Sequence, residues 1–190
     1  MTRPPTVWAV VVGGGSGQRF GRAKQYEMLG RERVIDRSRR IAEAVCDGVV
    51  VVVPSADVDR ERGVAGGATR SESVRAGLAT VPSDVDIVCV HDAARPLATE
   101  ALYERVIAAV IAGADGAVPS VPVADTIKIV DAHGTVVSTP DRGALVAVQT
   151  PQAFRADRLR AAHAAGGEGT DDAALVEAIG GVVVVVRGEP

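Results

Sequence analysis

An α/β fold with a mostly parallel sheet, covered by helices on both faces, is predicted by three features of the sequence. Short apolar runs alternate with helix-period segments along most of the chain. The runs are continuous, as strands buried on both faces require: VWAVVV at 7–12, VVVVV at 49–53, DIVCV at 86–90 and VVVVV at 182–186. A glycine-rich turn, GGGSG at 13–17, follows the first run directly.

The elements can be justified in order. Val7–Val12 reads as a first strand and not as a signal peptide, because glycines follow where a cleavage site would stand. RVIDRSRRIAEAVCDG then places Val34, Ser38, Ile41, Ala42 and Val45 on one helical face, with Gly48 as the stop. The second strand is VVVVVP. TRSESVRAGLATVP is a helix with Val74, Leu78 and Val81 at helical spacing, and DIVCV is the third strand, ending at HDAARP. In TEALYERVIAAVIAG, Thr99 caps a helix whose inner face is Leu102, Val106, Val110 and Ile111, and Gly113 ends it. GAVPSVPV is another strand. The alternation then breaks: DTIKIVDAHGTVVSTP reads as two extended arms around an Asp-Ala-His-Gly turn, a hairpin arm at about 125–143. ALVAVQTPQAF follows, then two short helices, RADRLRAAHAA and TDDAALVEAIGG, and the last valine strand. There are no repeats and no linker, so residues 1–190 are expected to form a single domain.

Composition excludes several classes. No apolar run approaches the roughly 18 residues of a membrane span. The net charge is −3 with no basic tract, and aromatic residues make up 3% of the chain, which argues against nucleic acid as a partner. Cys46 and Cys89 each sit in or beside an apolar segment and read as buried free thiols of a cytoplasmic protein. Of 21 lysines and arginines only Lys24 and Lys128 are lysines. The one kept beside the glycine loop offers a compact, mobile ammonium.

The glycine loop matches neither common phosphate motif. In the dinucleotide fingerprint Gly13 and Gly15 fit, but Gln18 stands in the third position; in the P-loop pattern a glycine must precede the lysine, and here it is Ala23. What remains is a turn of exposed backbone N–H groups followed by Arg19 and Lys24, a combination suited to a polyphosphate. In an open parallel sheet ligands bind beyond the carboxyl ends of the strands. Those ends lead here to the glycine loop, to GGATRSESV with Arg70 and Ser73, to HDAARP, to VADTIK and to TPDRG. A nicotinamide oxidoreductase is disfavoured by the missing third glycine and by the late Asp57 after the second strand.

In this order, GGGSGQRF, AKQY, GGATRSESV, HDAARP, PVADTIK, TPDRGALVAVQTPQAF and TDDAALVE resemble the 2-C-methyl-D-erythritol 4-phosphate cytidylyltransferase family of the non-mevalonate isoprenoid pathway. The likeness runs over nearly the whole chain. HDAARP together with QTPQAF is its specific part. A related cytidylyltransferase acting on ribitol 5-phosphate or another sugar phosphate, and an inactive relative serving regulation or binding, are the alternatives. The resemblance implies a Rossmann-like three-layer nucleotidyltransferase sheet with a protruding β-hairpin arm.

It also implies roles. Arg19 and Lys24 would hold the triphosphate and the transition-state charge. Val12, Gly13, Gly14, Gly15 and Gly17, with Gly67 and Ser73, would hold the nucleotide, CTP. Asp92 would serve Mg²⁺ or ribose. Asp92, Arg95, Thr126 and Arg142 would bind the sugar phosphate, Thr126 and Arg142 reaching the site of a second subunit across a homodimer formed through the arm. His91 would orient the HDAARP turn, whereas His133 and His163 read as exposed.

Three departures from the family stand out. Ala23 replaces the usual proline. The segment before Gly66 is short enough to lack an edge strand. The family also continues past its last strand into an N-x-K-[IV]-T motif with an active-site lysine, whereas this sequence ends at VRGEP, so that tail is expected to be absent.

Overall fold

The computed structural model describes residues 3–14 and 24–190. β1 (Val7–Val12) is central, flanked by β4 (Gly48–Val53) on one side and β6 (Ile87–Asp92) on the other, all parallel. The minor pair β2 (Met28–Leu29) and β3 (Glu32–Arg33) leads into α1 (Val34–Val45). A short helix, α2 (Val58–Glu61), follows β4 and brings the chain to β5 (Val64–Ala65). The edge strand thus survives as two residues parallel to β4, against the expectation that it would be missing.

Beyond β6 the sheet continues through β7 (Gly116–Pro122), then β12 (Val183–Arg187), which runs parallel to it. Between β6 and β7 lies β11 (Gln152–Arg155), antiparallel to both. β10 (Val146–Val148) continues the same antiparallel path along the far half of β7. Gln149, Thr150 and Pro151, with a cis Thr150–Pro151 bond, separate the two pieces. The sheet order is therefore β5, β4, β1, β6, β11 with β10, β7, β12. Every strand but this broken one points its carboxyl end to the same edge.

Successive side chains of β1 explain why its run is apolar throughout. Val7, Ala9 and Val11 pack under α1 and α4 (Glu100–Ile111), while Val10 packs under α3 (Arg70–Leu78), with α5 (Ala156–Ala164) and α6 (Asp172–Ala178) on the same side. α3 lies close on the sheet because Gly77 has no side chain: a Cβ there would stand 2.5 Å from Val10 Cγ1.

Two helix faces differ from the sequence expectation. In α1 the buried residues are Ile35, Ser38, Ile41 and Ala42, not Val34 and Val45. In α4 Tyr103 and Ile107 join Leu102, Val106 and Val110 inside, while Ile111 is 58% exposed. At 3.6 residues per turn Ile111 stands half a turn round from Leu102, past the rim of that face. Thr99 caps α4 as expected, accepting from the Leu102 N–H.

The hairpin forms where expected, from β8 (Ile129–Val130) and β9 (Val136–Ser138), around a turn in which Gly134 takes φ +82°. It leaves the sheet at the carboxyl end of β7. Ile127, Ile129, Val130, Val136 and Val137 are all exposed.

Candidate functional site

The site grows from the carboxyl edge of the sheet. The ladder of β1 ends where Gly13 donates its N–H to the Val52 carbonyl at 2.7 Å and Val12 accepts from the Ala93 N–H at 2.9 Å. Gly14 then passes over Ser73, and Gly66 approaches the same hydroxyl from β5. A Cβ on Gly14 would lie 3.2 Å from Ser73 Oγ and one on Gly66 2.8 Å from it. The two glycine turns therefore meet over one buried serine. Ser73 Oγ accepts from the Gly67 N–H at 3.2 Å and donates to the Thr69 carbonyl at 3.0 Å. Its own N–H is used inside α3, so what Ser73 supplies is a fixed turn. Thr69 and Glu72 close a capping box at the start of that helix.

Next to these turns stands Asp92, at the end of β6. Its Oδ1 accepts from Arg70 Nε at 3.1 Å, and its Oδ2 lies 3.9 Å from Arg95 Nε. The HDAARP turn that carries both is clamped from α1: Ser38 Oγ donates to the Ala93 carbonyl and Arg37 Nε to the Pro96 carbonyl. Thr150 Oγ1 accepts the Asp92 N–H at 3.1 Å and lies 3.0 Å from His91 Nδ1. A cleft of about 210 Å³ opens here, lined by Arg70, Asp92, Arg95, Thr150, Gln152 and Thr170, among others. Two buried polar atoms belonging to its lining, Arg70 Nη2 and Gln152 Oε1, have no hydrogen-bond partner among the described residues. An unpaired buried acceptor such as Gln152 Oε1 costs on the order of 1–3 kcal/mol, which a ligand hydroxyl would relieve. A larger cavity of about 340 Å³ lies at the opposite edge, between Arg3, Asp86, Val110 and Arg155, far from these groups.

Lys24 heads a single 3₁₀ turn, Lys24–Tyr26. Tyr26 anchors it: its hydroxyl donates to Asp57 Oδ2 at 2.7 Å, and the Arg60 guanidinium stacks 4.4 Å from the ring centre. Burial, then the bond to Asp57, push the Tyr26 phenol up to about 12. Arg33 ties the same region together by paired bonds to Asp36 and to Glu61. Gly15, Gly17 and Arg19 lie outside the described residues.

The remaining expected residues separate into two groups. Asp92 and Arg95 share the cleft with the glycine turns nearby. Thr126 and Arg142 stand on the exposed arm, where Arg142 Nη1 donates to the Ala124 carbonyl, and neither lines the cleft. His133 is exposed at the hairpin tip, as expected. His163 is not: it is buried, with Nε2 2.9 Å from Asp172 Oδ1. Sequence reading assigned no site role to Thr150, Gln152, Thr170 or Asp171. The signal was present in the QTPQAF and TDDAALVE stretches, which carried the resemblance without a role for each side chain.

His91 is 1% exposed, its ring 5.6 Å from Tyr103. Burial is the main reason its pKa falls from 6.5 to about 4. The native protein therefore keeps this imidazole neutral while the unfolded chain protonates it. Its contribution to stability is complete above pH 6.5 and is lost as pH falls toward 4, at about 1.4 kcal/mol per pH unit. Urea unfolding at pH 6.5 and pH 5 checks this: His91→Gln should lose roughly 2 kcal/mol less than the parent between the two. Equal losses would mean that His91 does not titrate this way.

A parallel sheet that delivers two glycine turns, a carboxylate and clustered guanidinium groups to one edge is the framework of a nucleotidyltransferase. The sequence model of the IspD family, 2-C-methyl-D-erythritol 4-phosphate cytidylyltransferase, matches residues 7–190, and the chain belongs to this family. The enzyme of that name from Nocardia farcinica is 49% identical over 160 residues, covering 79% of this chain and 69% of the relative. The one from Rhodococcus jostii is 45% identical over 197 residues, covering 97% and 87%. Among solved structures, the Anaerococcus prevotii 4-diphosphocytidyl-2C-methyl-D-erythritol synthase superposes with a TM-score of 0.86 at 27% identity, covering 97% of this chain and 90% of that one. The Thermus thermophilus 2-C-methyl-D-erythritol 4-phosphate cytidylyltransferase gives 0.79 at 32% identity, covering 95% and 88%. Cytidylyl transfer from CTP to 2-C-methyl-D-erythritol 4-phosphate, a step of isoprenoid synthesis, is the reaction of the family. No helix among the described residues is long and apolar enough to cross a membrane.

Proposed function

We propose that the glycine turns and the Asp92 cleft together carry this reaction, CTP lying against the turns and the sugar phosphate in the cleft. The observation that carries the reading is the meeting of both turns over Ser73 beside a carboxylate flanked by Arg70 and Arg95. A phosphate oxygen of the acceptor attacks the α-phosphorus of CTP. A new P–O bond forms, the bond from the α-phosphorus to the bridging oxygen breaks, and pyrophosphate leaves with the electron pair. The attacking phosphate is already an anion near neutral pH, so the site needs no general base. Its task is to offset repulsion between anions and to stabilise charge at the five-coordinate phosphorus. Arg19 and Lys24 do so at the triphosphate. Main chain at Val12–Gly15, with Gly17 and Gly67, holds the nucleotide against the sheet. Asp92 and Arg95 hold the acceptor, with Arg142 and Thr126 of a second subunit.

Among the described residues no group of three or more His, Cys, Asp or Glu could hold a metal unaided. Asp92, a carboxylate lining the cleft, fits Mg²⁺ carried in on phosphates, since that ion takes one or two carboxylates and keeps several waters. Asp92 would hold it, and the bound ion would neutralise phosphate charge. Assembly as a homodimer is supported by the exposed apolar arm, because a lone two-stranded hairpin is marginal in water. A cytoplasmic location is supported by two buried free cysteines.

Initial rates with CTP or UTP, each paired with 2-C-methyl-D-erythritol 4-phosphate or ribitol 5-phosphate, test the reading. CTP with the erythritol phosphate should dominate. Cytosine and uracil reverse donor and acceptor at one ring edge, and a site built to bond one group rejects its analogue strongly. Equal kcat/KM for CTP and UTP, or preference for ribitol 5-phosphate, would overturn it.

A further inference from the structure

Four groups stand in line behind the cleft. His163 on α5 bonds Asp172, the first residue of α6, which is wholly buried. The other oxygen of Asp172 accepts from Arg70 Nη1 at 2.7 Å. Arg70, the first residue of α3, then gives Nε to Asp92 Oδ1. The guanidinium is planar, so bonds from two of its nitrogens to two carboxylates fix its orientation. Asp172 cannot shift, since it is enclosed and bonded at both oxygens. Its anchorage passes through the Arg70 plane to one oxygen of Asp92 and leaves the other turned toward Arg95.

The arrangement is expensive if its only purpose is stability. Burying an ion pair is commonly no better than packing apolar groups in the same volume. Among the described residues it also leaves Arg70 Nη2 and His163 Nδ1 buried without hydrogen-bond partners. Burial alone would raise the Asp172 pKa, but the His163 bond and the Arg70 charge outweigh it and hold the carboxyl below its usual range. The group is therefore a buried anion whose partner is the arginine.

We propose that Arg70 is a positioning residue for cytidylyl transfer: braced by Asp172 and His163, it sets the Asp92 carboxylate for the sugar phosphate. The inference rests on the reading that Asp92 acts on that substrate. It separates Arg70 from Arg95, which would bind the substrate itself.

A double-mutant cycle tests it. Arg70→Lys keeps the charge and loses the fork. It should lower kcat/KM for the sugar phosphate about 10- to 100-fold, the range in which outer-shell partners of a site act. CTP binding, followed by calorimetry, should change less than twofold. Asp92→Asn should cost at least as much, and Arg70→Lys added to Asp92→Asn should cost nothing further. His163→Gln, at the far end of the line, should lower the same parameter several-fold and be equally silent beside Asp92→Asn; it carries the comparison if Arg70→Lys fails to fold. Losses that multiply in the double variants would show that Arg70 acts independently of Asp92. A lower melting temperature with unchanged kinetics would make the line structural only. Both results overturn the inference while leaving the reading of Asp92 intact. Unchanged kinetics in Asp92→Asn alone would overturn that reading, and the inference with it.

Discussion

Replacing Lys24 with alanine should lower kcat by about a hundredfold or more, comparable to losing one preorganised donor to a developing oxyanion. Arg19→Ala should do the same, with little change in KM for CTP in either variant. The expectation rests on where charge grows during the reaction. The triphosphate is fully charged in the ground state, but negative charge moves onto the leaving pyrophosphate only as the α-phosphorus bond breaks. A cation placed for that later charge acts on kcat. Lys24 is placed by its neighbour: Tyr26, bonded to Asp57 and stacked under Arg60, pins the turn that Lys24 heads. Steady-state kinetics with CTP varied at saturating sugar phosphate give the answer. A change confined to KM in either variant would assign that cation to ground-state binding alone.

Mixing Arg19→Ala protein with Arg142→Ala protein should restore activity that neither has alone. Arg142 stands on the exposed arm, away from the cleft residues of its own chain, at the base of a hairpin whose valines and isoleucines face outward. A two-fold partner would cover those side chains and bring its own Arg142 to the neighbouring site. Each mixed dimer then contains one site with both defects and one with neither. Recovery should approach a quarter of the parent activity at equal concentrations after full exchange, because about half of the dimers are mixed and each carries one intact site. Activity measured against time after mixing, with exchange followed separately by fluorescence transfer, checks this. Full exchange without recovery would place Arg142 in its own subunit's site.

The sheet was largely legible in the sequence because continuous valine runs have no other stable home than a strand covered on both sides. The arm was legible from its turn, Asp131 to Gly134, where the Asp131 carboxylate accepts the N–H groups of His133 and Thr135. The direction of the strand through VAVQTPQAF was not. Apolar periodicity is the same whichever way a strand runs, and only pairing shows that Val146–Arg155 returns antiparallel between its neighbours. Asp92 and Arg95 could be found because they follow a buried strand at once. The line from His163 through Asp172 to Arg70 could not: Arg70 falls at the ligand edge of the sheet in the sequence, but nothing there ties it to Asp172 or to His163, which reads as exposed. The roles given to Arg19, Gly15 and Gly17 concern residues outside those described.

Because the parallel strands all deliver their reactive ends to one edge, the other edge is open to labelling. Ala112, where α4 turns toward β7, is exposed there. β6 alone is six residues long, which puts roughly 20 Å of strand between that edge and Asp92. Cys46 and Cys89 are both buried, so a thiol introduced as Ala112→Cys would be the accessible one for maleimide chemistry. A fluorophore attached at this position would ride on the scaffold, report subunit exchange through energy transfer, and leave the chemistry of the opposite rim untouched.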